Sequence, residues 1–133
     1  MRLDIAAAFI LKGKKILLIK RPDDTELFPG HWTGVGGRMK HPGEPLKEVV
    51  KREVKEEVGL DFEPTEPIYF GETIEKGIHN IGHGFLGNWS GNIKLNKKEV
   101  TKCGWFTYEE ARKLPLGFAF PEIIKLLHKR KIL

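Results

Sequence analysis

The sequence predicts one layered α/β domain in which strands alternate with two or three helices. Three observations predict it. Apolar runs of strand length, bounded by Gly and Pro, stand on both sides of a central segment. That segment carries apolar residues at helical spacing between Pro45 and Gly59. The tail, "PEIIKLLHKRKIL", carries them at helical spacing again. Elements interleaved in this way bury their apolar faces by stacking in layers, as an α/β or α+β domain. The 133 residues, 40% hydrophobic and 31% charged, suffice for one core, and no linker divides them. Residues 1–133 therefore read as a single domain.

Residues 3–11 are a first strand, and "KILLIKR" is its hairpin partner across a turn broken at Gly13. "RPDDTELFPGH" is a polar loop. "WTGVGG" is a short strand whose glycines permit close backbone approach. A helix follows from about Pro45, suited to a first helical position, to Val58, with Gly59 as its stop. Pro64 and Pro67 suit a connector. "IYFGETIE" and "IHNIGHGFLGNW" are strands, "NIKLNKKE" is a loop or exposed edge, and "VTKCGWF" is another strand. "TYEEARKL" is a short helix, with Thr107 and Glu110 at capping-box spacing. The terminal helix ends in basic residues, which suit its dipole.

The formal net charge of +5 suits a polyanionic ligand and equally a lysine-rich solvated surface. Cys103 is the single cysteine, so no internal disulfide forms, and a reducing cytoplasm is the default location. No stretch reaches the length of a membrane span. The apolar start "LDIAAAFIL" lacks a basic flank and reads as a strand, not a leader.

The central helix holds the chemistry. Placed on a wheel at about 100° per residue, Leu46, Val49, Val50 and Val54 form one apolar stripe. Lys47, Glu48, Lys51 and Lys55 form the solvated face. Glu53 and Glu57 fall within the apolar arc, at about −20° and +20° from Leu46, and Glu56 lies at its edge near about −80°. Two inward carboxylates lose hydration and repel each other, so they need compensation. Two readings stay open at this level. One is a buried ion pair with Arg52 or another cation. The other is a divalent cation such as Mg²⁺, which favours carboxylate oxygens shared with phosphates. Glu44 enters the helix, where capping is the plain reading, and Gly34, Gly36 and Gly37 could admit a phosphate or simply turn the chain.

The stretch "GGRMKHPGEPLKEVVKREVKEEVGL" resembles the Nudix box: a glycine, a glutamate, then R-E-x-x-E-E-x-G and an aliphatic residue. Glu44, Arg52, Glu53, Glu56, Glu57, Gly59 and Leu60 match it. Six residues separate Gly37 from Glu44, one more than the family pattern has. The resemblance implies a Nudix-type α/β/α sandwich with a mixed central sheet and flanking helices. It implies hydrolysis of a nucleoside diphosphate linked to another group. "LFPGHWTGVGG" looks most like the MutT-type nucleoside triphosphate pyrophosphatases, including those acting on oxidised purine nucleotides.

On this reading Mg²⁺, with Mn²⁺ as a substitute, neutralises the phosphates and acidifies the attacking water. Glu53, Glu56 and Glu57 are expected metal ligands, with Glu44 and Glu99 as further candidates. Glu53 or Glu56 is the expected base, and Arg52 orients a glutamate by a bidentate pair. Gly36, Gly37 and Arg38 are expected at the phosphates. Trp32, Phe28, Phe118 and Phe120 are candidates for stacking on a base, and Thr33 for touching its edge. His79 and His83 lie on a strand, roughly 13 Å apart, which does not suit a shared metal; His31 and His41 flank the loop, and His128 belongs to the tail.

The expected partner is a small nucleotide, with no DNA, no membrane and an RNA cap as a minor alternative, in a monomer or homodimer. The rivals are another Nudix activity, on dinucleoside polyphosphates, ADP-ribose or capped RNA, and a non-catalytic nucleotide- or RNA-binding module.

Overall fold

A computed structural model describes residues 1–133. Its strands are β1 (Arg2–Phe9), β2 (Leu11–Lys12), β3 (Lys15–Lys20), β4 (Trp32–Thr33), β5 (Val35–Arg38), β6 (Asp61–Glu75), β7 (Ile78–Ser90) and β8 (Lys102–Phe106). Its helices are α1 (Leu46–Val58), α2 (Tyr108–Ala111) and α3 (Phe120–Lys129). One sheet has the order β5-β1-β7-β6, and a second joins β2, β3 and β4, with β8 on β3. Strands β1 and β7 are parallel, whereas β5 and β6 run antiparallel to their neighbours. The sheet is therefore mixed.

Alternation along the strands splits the core in two. Leu17 and Ile19 of β3 join Ala6, Ala8 and the valines of α1. Ile16 and Leu18 point the other way, toward Phe120, Ile123 and Leu127 of α3. Helices thus cover both faces, giving the expected three layers. Val49, Val50, Val54 and Val58 are fully buried, which sets the rotation of α1. Gly59 ends the helix in the left-handed conformation (φ 74°), and its N–H bonds the carbonyl of Lys55. The amides of Lys94 and Asn96 then take the free carbonyls of Val58 and Glu57, at 2.8 and 3.0 Å. This tie brings the lysine-rich loop, and Glu99 within it, toward α1.

The first strand is two. Ile10, fully buried, separates β1 from β2, so only Leu11 and Lys12 pair with β3, and β1 crosses to the other sheet. "WTGVGG" breaks likewise at Gly34, where a Cβ would collide with the ring of Phe120, leaving β4 and β5 in different sheets. Pro64 and Pro67 do not form a connector. They lie inside β6, which is a sheet edge, and the register shifts beside both. A proline lacks the N–H of a ladder bond, and an edge strand tolerates that. Pro45 precedes the helix in an extended conformation (ψ 131°) rather than opening it. The capping box at Thr107 and Glu110 is formed. No helix is long and apolar enough to cross a membrane.

Candidate active site

Strand β5 supplies the floor on which the acidic face of α1 rests. Gly36 and Gly37 stand opposite Ala7 and Ala6 of β1. A Cβ at Gly37 would collide with the Glu53 carboxylate, so a bare backbone is what lets Glu53 reach the sheet. The N–H of Gly36 donates to Glu57 Oε1 at 3.0 Å. The extra residue in the following loop leaves both contacts in place. That loop curls through Gly43 (φ 78°), and the Lys40 N–H donates to Glu44 Oε1 at 3.0 Å.

The electrostatics follow from burial. Glu53 is 8% exposed, and its pKa is raised to about 7, first by loss of hydration and then by the neighbouring Glu56. Glu57 is pushed well above the ordinary carboxylate range, again first by burial. The Gly36 N–H opposes that rise, Glu53 and Glu99 add to it, and Arg21 lowers it. The inward turn read from the wheel is thus the arrangement seen for Glu53 and Glu57, and Glu99 adds its charge from the loop.

Glu44 and Glu56 do not line the cavity, although Glu56 lies beside Glu53. Arg52 Nη1 donates to Glu44 Oε2, through one contact rather than a bidentate pair, while Nη2 donates to the carbonyl of Arg38 at 3.3 Å. The Lys40 N–H, and then Arg52, hold the Glu44 carboxyl below its ordinary pKa. Glu56 Oε1 lies 3.6 Å from Lys40 Nζ and 3.9 Å from Arg52 Nε. That Nε is buried without a hydrogen-bond partner. Glu44 has no helix-capping bond; its role here is to hold Arg52.

A cavity of about 550 Å³ opens beside this group. Glu53, Glu57 and Glu99 line one part of it, with Gly36, Gly37 and Arg38. Thr33, Phe118 and Phe120 also line it, whereas Trp32 and Phe28 do not. Trp32 packs edge-on against Phe106 within the α3-side core, and Phe28 supports Phe118 from behind, with ring centroids 4.7 Å apart. The Thr33 hydroxyl donates to the carbonyl of Gly34 at 3.0 Å. His79 is exposed and 3.4 Å from Glu72, and His83 lies 3.6 Å from Asp4.

Two lining residues escaped the sequence reading. Arg21 follows the end of β3, and burial lowers its pKa. Its Nε donates to the carbonyl of Leu27 at 3.0 Å, its guanidinium lies 5.2 Å from the Phe118 ring centre, and it faces the charge of Glu57. Asn80 of β7 is 2% exposed. The signal for Arg21 was a basic residue, next to Lys20, where an apolar strand ends; for Asn80 it was a polar residue, next to His79, within a strand.

The donor set suits a hard divalent cation. It consists of carboxylates on a helix packed rigidly against the sheet, and their mutual repulsion is what such an ion would relieve. As placed, no three acidic, His or Cys side chains meet around one point. One or two carboxylates completed by water and phosphate oxygens is an ordinary arrangement for Mg²⁺. Glu53 and Glu57 fit that description, and Glu99 lines the same cavity.

A family model described as the NUDIX domain matches residues 1–127. The chain is 44% identical over 80 residues to the nucleoside triphosphatase NudI of Escherichia coli (strain K12 / DH10B), covering 59% of this chain and 56% of that protein. It is 30% identical over 107 residues to the NAD-capped RNA hydrolase NudC of Stutzerimonas stutzeri (strain A1501), covering 80% of this chain and 37% of that protein. The chain thus spans little more than half of the first relative and less of the second. Its fold is like that of the MutT protein from Methanosarcina mazei Go1, with a TM-score of 0.87 at 25% identity over 98% of this chain and 95% of that one. It is also like the MutT NUDIX hydrolase from Burkholderia pseudomallei, with a TM-score of 0.83 at 26% identity over 94% and 97%.

Proposed function

The chain belongs to the Nudix family, and we propose that it is a pyrophosphohydrolase that cleaves a nucleoside triphosphate to the monophosphate and pyrophosphate. The observation that carries this reading is the pair Glu53 and Glu57, sunk against the glycine strand at the edge of a nucleotide-sized cavity. Nudix domains generally need a divalent metal. When bound, such a cation neutralises phosphate oxygens and acidifies the attacking water. Glu53 and Glu57 would hold it, with Glu99 as a further candidate.

In the reaction, water attacks a phosphorus of the chain, an anhydride P–O bond breaks, and the water's proton passes to a carboxylate. Glu53 is the better base of the two expected candidates. It lines the cavity. Glu56 is engaged with Lys40 and Arg52. Arg21, which lines the cavity and lies over the ring of Phe118, is placed to support the phosphate chain. Arg52 acts as a positioning residue, locking Glu44 and the Arg38 carbonyl to α1.

The likeness to a NAD-capped RNA hydrolase favours a second reading, in which the anhydride lies in a capped RNA or dinucleotide. A panel of nucleoside triphosphates, dinucleoside polyphosphates, ADP-ribose and capped RNA, each with Mg²⁺, Mn²⁺ or EDTA, separates them. The expected result is monophosphate and pyrophosphate from a triphosphate, only with metal. Cleavage confined to dinucleotides or caps supports the second reading. Binding that persists in EDTA with no hydrolysis in either metal identifies a non-catalytic module.

A further inference from the structure

The floor of the cavity is built from one face of the first sheet. Leu3, Ile5 and Ala7 of β1 contribute to it, with Gly82 and Gly84 of β7 beside them and Tyr69 and Gly71 of β6 beyond. This surface is mostly apolar or bare backbone, with Thr73, Tyr69, His83 and Asn80 as its polar side chains. Asn80 lies opposite Leu3 in the register and Thr73 on the other side, and the residue is 2% exposed. Its Oδ1 is buried with no hydrogen-bond partner. Its Nδ2 makes one contact, to the carbonyl of Ile78 at 3.4 Å, too long to hold it firmly. A buried amide left unpartnered costs about 1–3 kcal/mol, so packing alone gives no reason for it. Leucine, of similar size, would fill the place at no such cost.

The register also fixes how far Asn80 is from the acidic end. Gly36 pairs with Ala7, four residues along β1 from the Leu3–Asn80 row, and β5 is two strands from β7. The offset is about 13 Å along the strands and about 10 Å across them. A nucleoside with its phosphates spans such a gap when side chains at both ends reach toward it. The terminal torsion of asparagine is soft, so the amide can turn its oxygen toward a ligand at little cost.

We infer that Asn80 is a specificity-determining residue: its amide reads the hydrogen-bonding edge of the substrate's base, accepting from a ring or exocyclic N–H and donating to the adjacent acceptor. This rests on the proposed nucleotide reading and adds which residue selects the base. The pairing that asparagine makes most readily is with adenine, whose amino group and ring nitrogen offer one donor and one acceptor side by side. A base with the wrong edge leaves the amide unpartnered again, which sharpens the choice.

The test is a binding titration of AMP, GMP, CMP and UMP, by calorimetry, on wild-type protein and on N80A and N80L, with melting temperatures measured alongside. Binding is read independently of turnover, so a failure of the hydrolysis proposal and a failure of this one are told apart. Wild-type protein is expected to favour AMP by about tenfold or more, and both variants to lose that preference while binding the four nucleotides alike. N80L is expected to melt no lower than wild type, since it removes an unpartnered polar group. A wild-type preference that survives both substitutions, no wild-type preference, or no binding of any monophosphate would overturn the inference. So would an N80L protein that melts far lower while keeping its selectivity, because Asn80 would then be structural.

Discussion

At the scale of the residue, Glu53 and Glu57 sit in positions that a stable fold without a ligand would fill with apolar side chains. Each carries a pKa raised by burial, so the folded protein without metal keeps protons that the unfolded chain releases. The sign follows directly. For a carboxyl whose folded pKa exceeds its unfolded value, stability is fully present below the unfolded pKa and is lost as pH rises through the folded one. For Glu53 that window runs from 4.5 to about 7. Thermal melts in EDTA should therefore show wild-type protein losing stability across this range relative to E53Q. Added Mg²⁺ should raise the melting temperature of wild type more than that of E53Q. Parallel melting curves for the two proteins from acid to neutral pH would contradict the burial of this charge.

The same scale shows where legibility stopped. Glu53 and Glu57 were readable as inward because a helix has a fixed period and Leu46, Val49, Val50 and Val54 mark its apolar side. Arg21 and Asn80 were not, because their burial depends on strand pairings between segments far apart in the chain. Trp32 and Phe28 were aromatic in a suggestive stretch, yet Trp32 packs into the core and Phe28 supports a neighbour. Composition does not tell a stacking ring from a packing ring.

At the scale of the element, α1 is the rigid platform. Its start, stop and buried stripe were legible from Pro45, Gly59 and the valine spacing, since these are local signals. The platform rests on Val50, fully buried in the core between helix and sheet. V50A should lower stability by about 2 kcal/mol, read from the urea midpoint, through the lost methyl groups and the cavity they leave. A change near zero would mean that α1 is held by something other than this stripe. Strand β6 was the element least legible. Its two prolines are ordinary connector residues unless the segment is a sheet edge, and edges are a property of the assembled sheet. The break at Ile10 is of the same kind, because the apolar run alone gives no sign that the chain changes sheets there.

At the scale of the whole molecule, two cores fasten helices to both faces of strands that converge on one cavity. Three distant segments supply its charged end: β5 gives bare backbone, α1 gives carboxylates, and the loop capping α1 gives Glu99. The layered class was legible from the alternation of elements, and the acidic end from the box motif. The parallel pairing of β1 with β7, which forms the cavity floor, was not. The account as a whole turns on inward carboxylates that become catalytic once a divalent cation offsets their charge. The most direct test is the rate of pyrophosphate release from nucleoside triphosphates by wild-type protein and E57Q, with and without Mg²⁺. The account predicts release by wild type only with Mg²⁺, and a fall of at least about 100-fold in kcat for a folded E57Q protein. An E57Q protein that turns over at the wild-type rate with unchanged metal dependence would contradict it.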